Sequence, residues 1–289
     1  QSIQTAQSIK VVSMIFLVIG AIFRALAVAM AISVPSIVLI TGASDGSSIT
    51  LIAALIAGAL ICLEYLNTYP SMLEFRDAAP YNRIRYLSAL IAIICVSTLF
   101  RDAHHADNSN TMLMAIGTII GHGLDFPYSP IRLIILTLPL DVSDTIVDAA
   151  RLSAGVTFVI SILTVAGFFL FTRLSRWPVS FGSFNVWTNL PVLDPTSGVD
   201  IVLRLTREGR SNIGLALLSP FLMPIVIQIT MLTLRLEPFQ SAQSAAWIII
   251  MWGVLPTFLA MRGIAMLRIT ELIIEKRHSN NAHSMLQMA

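Results

Sequence analysis

The stretch TMLMAIGTIIGHGLDFPYSPIRLIILTLPL, residues 111–140, decides the fold because two short apolar runs flank a polar centre rich in glycine and proline. The runs are 112–120 and 131–138, and each is about half the ~20 residues that a membrane-spanning helix needs. The stretch is therefore either one broken span or a re-entrant or interfacial helical hairpin. That choice sets the side of the membrane on which every later residue lies.

Composition places the chain in a membrane. It has 289 residues, of which 56% are hydrophobic and 12% are charged, and its mean hydropathy is +0.81. A soluble domain has about 25% charged residues, so this chain has too little polar surface to cover a water-facing globule. Its formal net charge of +2 gives no electrostatic basis for binding nucleic acid. We therefore expect the lipid bilayer to be its first partner.

Six longer apolar runs predict six full spans, which makes the chain an all-α, polytopic membrane helical bundle with one membrane domain over residues 1–289. The first run is expected to serve as an uncleaved anchor. In the second run, Ala54 and Gly58 are spaced four residues apart, a pattern typical of close helix packing in lipid. The expected spans are about 20–40, 49–66, 86–100, 152–172, 212–234 and 244–266.

Residues 178–210 form the longest segment expected outside the membrane. The segment is aromatic and broken by prolines, and Trp187 is one of its large apolar residues. A short amphipathic helix is expected to begin at Ser197 or Asp200 and to end at Gly209. Nearby, Arg204, Arg207 and Arg210 recur every three residues and share a helix face. This pattern predicts a segment that lies along the cytoplasmic face, with its arginines against lipid phosphates or a partner protein.

The Lys and Arg residues of the loops indicate how the chain is oriented. If residues 111–140 enter and leave on one side, twelve of these cations share the side of both termini and three lie opposite; a single broken span divides them about six to nine. The first arrangement obeys the positive-inside rule, so both termini are expected in the cytoplasm. The twelve are Lys10, Arg76, Arg83, Arg85, Arg173, Arg176, Arg204, Arg207, Arg210, Arg268, Lys276 and Arg277, and the three are Arg101, Arg151 and Arg235.

Ionisable residues inside apolar runs are costly in lipid and are functional candidates. Arg24 and Glu64 fall at one predicted depth on adjacent antiparallel spans, so we expect an ion pair between them. His122, Asp125 and Arg132 form a polar centre within the 111–140 stretch. It is either an ion or substrate site on non-helical backbone that lines a cavity, or the turn of the hairpin with Asp125 neutralised by Arg132. Arg262 completes the set and is expected to reach the interface.

The function classes that remain are few. The sequence contains no phosphate-binding loop, zinc-protease motif or serine-hydrolase motif, and no metal-ligand spacing. His122 is a weak candidate for holding a haem or pigment, although no motif requires a cofactor. We therefore expect a non-catalytic structural or assembly subunit of a larger protein complex in a bacterial inner membrane, with other membrane subunits as partners. The alternative is a small-solute or ion transporter or channel that uses the polar centre of 111–140.

Overall fold

A computed structural model describes residues 2–39, 45–68, 71–104, 111–139, 141–175, 177–178, 189–190, 200–234, 239 and 241–288. It is 85% helical and contains no strand in the described part of the chain. The helices are α1 (Ser2–Val38), α2 (Asp45–Leu66), α3 (Tyr81–His104), α4 (Met112–Leu124), α5 (Pro130–Ile135), α6 (Asp144–Leu174), α7 (Ile201–Leu234) and α8 (Ala242–Met288).

Six of these helices, all except α4 and α5, are long and apolar enough to cross a bilayer. This confirms the predicted helical membrane bundle with about six spans. Each helix extends beyond its predicted span at one or both ends. The candidate spans are Met14–Val38, Ser48–Leu66, Tyr81–Ala103, Asp144–Leu174, Ile201–Leu234 and Ala242–Asn280.

The first two spans run in opposite directions. The Arg24 guanidinium on α1 lies 4.5 Å from the centre of the Tyr65 ring near the end of α2. At the other end, Gln243 of α8 donates hydrogen bonds to Ser36 of α1 (2.7 Å) and Thr50 of α2 (2.8 Å). Because Arg24 of α1 lies beside Tyr65 of α2, and Ser36 of α1 lies near Thr50 of α2, the two helices are antiparallel.

The helices α3 and α6, which flank the 111–140 stretch, are also antiparallel. The rings of Tyr81 at the start of α3 and Phe168 near the end of α6 lie 5.5 Å apart. Leu99 near the end of α3 shares a cluster with Leu152 near the start of α6. The end of α3 and the start of α6 therefore lie at the same end of the bundle, which we call the α4 end.

The last two spans complete the alternation. Trp252 of α8 donates from its indole nitrogen to the Pro220 carbonyl of α7 (3.0 Å), and Arg277 pairs with Asp200 (3.0 Å). This order makes α7 and α8 antiparallel. The starts of α1, α3 and α7 and the ends of α2, α6 and α8 share the other end of the bundle, which we call the arginine-rich end.

Glycine and small residues bring the spans together. A Cβ on Gly58 of α2 would lie 3.2 Å from the Ala25 carbonyl oxygen and 3.4 Å from the Ala29 Cβ of α1. This confirms the packing role expected from the Ala54–Gly58 spacing. In α7, Pro224 has no N–H to give the Pro220 carbonyl, and the Trp252 indole supplies that missing bond. Such a replacement matters because an unpaired carbonyl is costly in lipid.

The structure corrects one part of the predicted surface segment. Residues 201–210 form the first turns of α7, which continues unbroken to Leu234, instead of a separate helix along the membrane surface. Gly209 was expected to end that short helix. It packs instead against α8, since a Cβ there would lie 2.9 Å from the Leu267 side chain. Residues 179–188 and 191–199, which include Trp187, lie outside the described residues.

Candidate functional site

The α4 helix begins at Thr111, which ties it to the end of α3. The Thr111 hydroxyl oxygen accepts a hydrogen bond from the Met114 N–H (3.3 Å) and so caps the first turn of α4. The same hydroxyl donates to Asp102 Oδ2 (3.0 Å), two residues before α3 ends. The start of α4 is therefore held at the α4 end of the bundle.

Glycines place α4 directly on the backbone of α6. A Cβ on Gly121 would lie 3.0 Å from the Arg151 carbonyl oxygen and 3.0 Å from the Leu152 Cα. A Cβ on Gly155 would lie only 2.7 Å from the Gly121 Cα. With Gly117 one turn earlier, α4 carries the small-xxx-small spacing that permits such contact. Both helix backbones depend on having no side chain between them.

A sharp turn separates α4 from α5. Tyr128 has a φ of 66°, in the left-handed region that a residue with a side chain seldom adopts. Ser129 follows and accepts a hydrogen bond from the Arg132 N–H (3.0 Å), so it caps α5, while Pro130 occupies the first turn, where it costs no backbone bond. The predicted turn of the 111–140 stretch is thus built from local capping.

The α5 helix is short and lies inside the bundle. It has six residues, and Ile131 and Ile134 are 1% and 0% exposed in a core shared with α3, α6 and α8. The sequence predicted two similar apolar arms. The two helices instead differ in burial. The α4 helix packs on the surface of α6 and keeps several exposed residues, whereas α5 fills part of the core.

Asp125 joins α4, α5 and α6. Its side chain is 7% exposed, and its Oδ2 accepts a hydrogen bond from Arg151 Nε of α6 (2.9 Å). Arg132 Nε of α5 lies 3.0 Å from Oδ1 as an ion pair, although the N–H does not point at that oxygen as a hydrogen bond would. Arg151 also pairs with Asp148, which is 60% exposed. One carboxylate therefore faces two arginines, and the predicted contact between Asp125 and Arg132 is confirmed.

His122 lies apart from this cluster. It is exposed, and its backbone carbonyl accepts the Asp125 N–H (3.3 Å) at the end of α4. Within the described residues, no group of three or more His, Cys, Asp or Glu side chains is arranged to hold a metal ion. The haem or pigment hypothesis for His122 stays a hypothesis.

The predicted ion pair between Arg24 and Glu64 is wrong, since these two described side chains have other partners. The backbone N–H groups of residues 71–73 donate to the Glu64 carboxylate at 3.0 to 3.3 Å. Arg24 is exposed and lies over the Tyr65 ring. The loop after α2 folds back onto Glu64. Its N–H groups supply the hydrogen bonds of the carboxylate, which therefore does not need Arg24 as a partner.

The arginine-rich end carries several ion pairs that link α7 and α8. Arg262 binds both oxygens of Glu74 (2.7 and 2.8 Å) and lies 3.6 Å from Glu208, which also pairs with Arg204. The Arg277 guanidinium holds the pKa of the Asp200 carboxyl below its usual range, helped by the Val202 N–H.

The other two predicted surface arginines, Arg207 and Arg210, are both exposed near the start of α7. The structure thus separates the three arginines by environment. Arg204 is half-buried within the ion pairs, whereas Arg207 and Arg210 face outward.

Sequence reasoning missed two residues of these clusters. Arg151 was counted as a loop cation, yet its spacing of three residues from Asp148 already indicated an ion pair on one helix face. Glu74 lies in the loop between α2 and α3, and no sequence pattern connects it with Arg262, 188 residues later. Long-range pairing of this kind depends on the fold.

A cleft opens on the side of the bundle between α6 and α7, with α8 as its floor. Its volume is about 610 Å³, and its lining is almost entirely apolar. Small residues from all three helices line it, so a backbone could approach closely. They are Ser161, Ala166, Ala216, Gly253, Thr257 and Ala260.

Comparison of the chain with protein-family models, with curated proteins and with solved structures finds no match.

Proposed function

We propose that the chain is a non-catalytic structural or assembly subunit of a larger protein complex in a bacterial inner membrane. The observation that carries the proposal is the state of Asp125. This carboxylate, the acid of the predicted polar centre, is neutralised by Arg132 and Arg151 and joins three helices. A group used in this way stabilises the fold, and it would have to break two ion pairs before it could bind a transported ion.

The cleft gives the proposed assembly a location. We propose that a transmembrane helix of another subunit packs between α6 and α7. The floor from Gly253 to Ile264 spans about 16 Å at ~1.5 Å per residue, roughly three helical turns. Its small residues, together with apolar walls such as Leu217 and Phe221, suit helix association in lipid, where close packing replaces the hydrophobic effect as the driving force.

Charge supports an orientation in which the arginine-rich end faces the cytoplasm. Ten of the twelve cations expected there are described side chains, all except Lys10 and Arg176, and all ten lie at this end, together with Arg24 and Arg262. The α4 end has Arg101, Arg132 and Arg151 among its described side chains. In this proposal both termini are cytoplasmic.

We also propose that residues 111–140 enter and leave on the outer side as a hairpin, with α4 across the end of the bundle and α5 inside it. The antiparallel packing of α3 and α6 supports same-side entry. Both ends of α4 are tied near the α4 end, through Thr111 to Asp102 and through Asp125 to Arg151, in the second turn of α6. A helix anchored this way crosses the end of the bundle and does not reach its centre.

The test is purification of the tagged chain in mild detergents, followed by native mass spectrometry. We expect a species heavier than the 31.5 kDa protomer that contains a defined second subunit. A photo-crosslinking residue at Leu217 in the cleft should capture that subunit. The matched control is Ile229, which is exposed on the same helix but does not line the cleft.

Two results would count against the proposal. A lone protomer in every mild detergent would reject the complex, and equal crosslinking at the two positions would reject the cleft. The transport alternative has its own assay, solute or ion flux through the purified chain in liposomes. Flux that Asp125→Asn abolishes in protein that is still folded at the assay temperature would replace the proposal with a transporter.

A further inference from the structure

The interface among α3, α6 and α8 carries hydroxyl groups that the proposed function does not use. On α6, Ser153, Thr157, Ser161 and Thr164 are separated by four, four and three residues, so they share one helix face. They cover about 16 Å of the helix axis at ~1.5 Å per residue, roughly half of a ~30 Å hydrocarbon core. Ser97 of α3 and Thr257 of α8 add hydroxyls from the neighbouring helices.

Three of these hydroxyls have no hydrogen-bond partner among the described residues. Ser97, Ser153 and Thr157 are each 0% exposed, and their side-chain oxygens are unpaired. Hydroxyls in membrane helices ordinarily donate to a carbonyl of the preceding turn, as Ser161 does to Thr157 (2.8 Å) and Thr164 to Ile160 (2.7 Å). The three unpaired hydroxyls make no such hydrogen bond, although they lie deep in the bundle, where an unpaired polar group is costly.

Two of the three lie at a common depth. Leu99 of α3 packs with Leu152 of α6, and Ser97 and Ser153 lie within two residues of that contact on antiparallel helices. Thr157 is one turn further along α6. Each hydroxyl can both donate and accept, so their environment suits a small molecule that does the same.

A second group of hydroxyls surrounds a cavity nearer the arginine-rich end. The cavity is about 10 Å³, the size that admits one water molecule. Each hydroxyl on its wall already donates to a backbone carbonyl, so its oxygen presents only lone pairs to the cavity. The four are Ser88, Ser161, Thr164 and Thr257, with donor distances of 2.7 to 3.1 Å.

We infer that the α3–α6–α8 interface binds internal water at these two levels. A ligand of the cavity must be very small and must donate hydrogen bonds, and water does both. A bare cation is a poorer fit because no carboxylate lines the cavity. Gly253 lies between the two levels, since a Cβ there would meet the side chains of both Thr157, of the first level, and Ser161, of the second. The sites are therefore separate, and they hold the three helices together through water instead of forming an open channel.

Thr157→Val tests the first level, because valine keeps the shape and replaces the hydroxyl with a methyl group. If water binds Thr157, the variant loses hydrogen bonds, and its midpoint of thermal unfolding in detergent should fall by several degrees. If the site is dry, removal of an unpaired hydroxyl relieves a cost, so an unchanged or higher midpoint would overturn the inference there. Thr230→Val is the control, since Thr230 is only half-buried on α7 and its hydroxyl already donates to the Val226 carbonyl of its own helix (2.8 Å).

Radiolytic labelling tests the second level, because X-rays convert bound water into radicals that oxidise adjacent side chains. Phe258 lines the cavity, and we expect its oxidation to exceed that of Phe171, which is half-buried like Phe258 but lies outside the cavity. In the Thr164→Val variant the Phe258 signal should fall severalfold. Equal labelling of the two phenylalanines, or a Phe258 signal that Thr164→Val leaves unchanged, would overturn this level of the inference.

Discussion

At the residue scale, the two acids beside Arg151 differ in burial, and the difference predicts their effects on stability. The Asp125 side chain is 7% exposed and the Asp148 side chain is 60% exposed. We expect Asp125→Asn to lower the free energy of unfolding by an amount close to the ~3–5 kcal/mol of a broken buried pair. Two arginines would then lack their shared counter-charge. Thermal or denaturant unfolding in a fixed detergent measures the loss.

Asp148→Asn is the matched control for this prediction. It makes the same chemical change beside the same arginine, but at an exposed position, where an ion pair contributes ~0–1 kcal/mol. Similar losses in the two variants would contradict a structural role for the Asp125 cluster. A larger loss in Asp148→Asn would contradict it as well.

The residue-scale predictions from sequence succeeded only where the partners are close in the chain. Asp125 and Arg132 are seven residues apart across a turn, so their contact followed from local geometry. Arg24 and Glu64 were paired by depth alone. Depth does not fix rotation about the helix axis, and a returning loop could reach Glu64 first. The bonds from residues 71–73 to Glu64 depend on how that loop folds back, which no residue pattern specifies.

At the element scale, the packing of α4 on α6 depends on Gly121. We expect Gly121→Ala to destabilise the protein by ~1–3 kcal/mol, the usual range for overpacking. The reason is that its Cβ would meet the backbone of Arg151 and Leu152 at 3.0 Å, and backbone cannot move aside as a flexible side chain can. Amide hydrogen exchange in α4 should also be faster in the variant than in the parent protein, and this increase should be larger in α4 than in α3.

Gly123→Ala is the control for this packing, since a Cβ there would meet nothing within 4 Å. Alanine favours a helix over glycine by ~0.5–1 kcal/mol, so this variant should be as stable as the parent or slightly more so. If Gly121→Ala matched Gly123→Ala in stability and in exchange, α4 would not pack on α6 as described.

The elements were predictable to the extent that composition alone determines them. Six apolar runs of sufficient length gave six spans, because lipid leaves a long apolar segment few alternatives to a helix. The boundaries at 201–210 were wrong because Gly209 was taken as a helix end. Its neighbours on α8 make it a packing position, and that information lies outside its own segment. The second arm of the hairpin was predicted, but the burial of α5 was not, for the same reason: burial of Ile131 and Ile134 depends on other helices.

At the scale of the whole molecule, the prediction that a single experiment can most directly contradict is that residues 111–140 enter and leave the membrane on the same side. The antiparallel packing of α3 and α6 and the arginine distribution both favour entry and exit on one side. We therefore expect single cysteines at Asn108 and Ser143 to react with an impermeant thiol reagent from the same side of the membrane. A cysteine at Lys276, at the arginine-rich end, should react only from the opposite side.

This labelling is done in a background in which the native Cys62 and Cys95 are replaced by alanine, so each signal has one source. Intact cells report the outer side, and permeabilised cells report both. Reaction of Asn108 and Ser143 in intact cells, with Lys276 reactive only after permeabilisation, supports the proposed topology. Opposite accessibility of Asn108 and Ser143 would mean that 111–140 crosses the membrane. In that case α6, α7 and α8 would all be inverted relative to α1, α2 and α3, and the arginine-rich end could not be a single cytoplasmic surface.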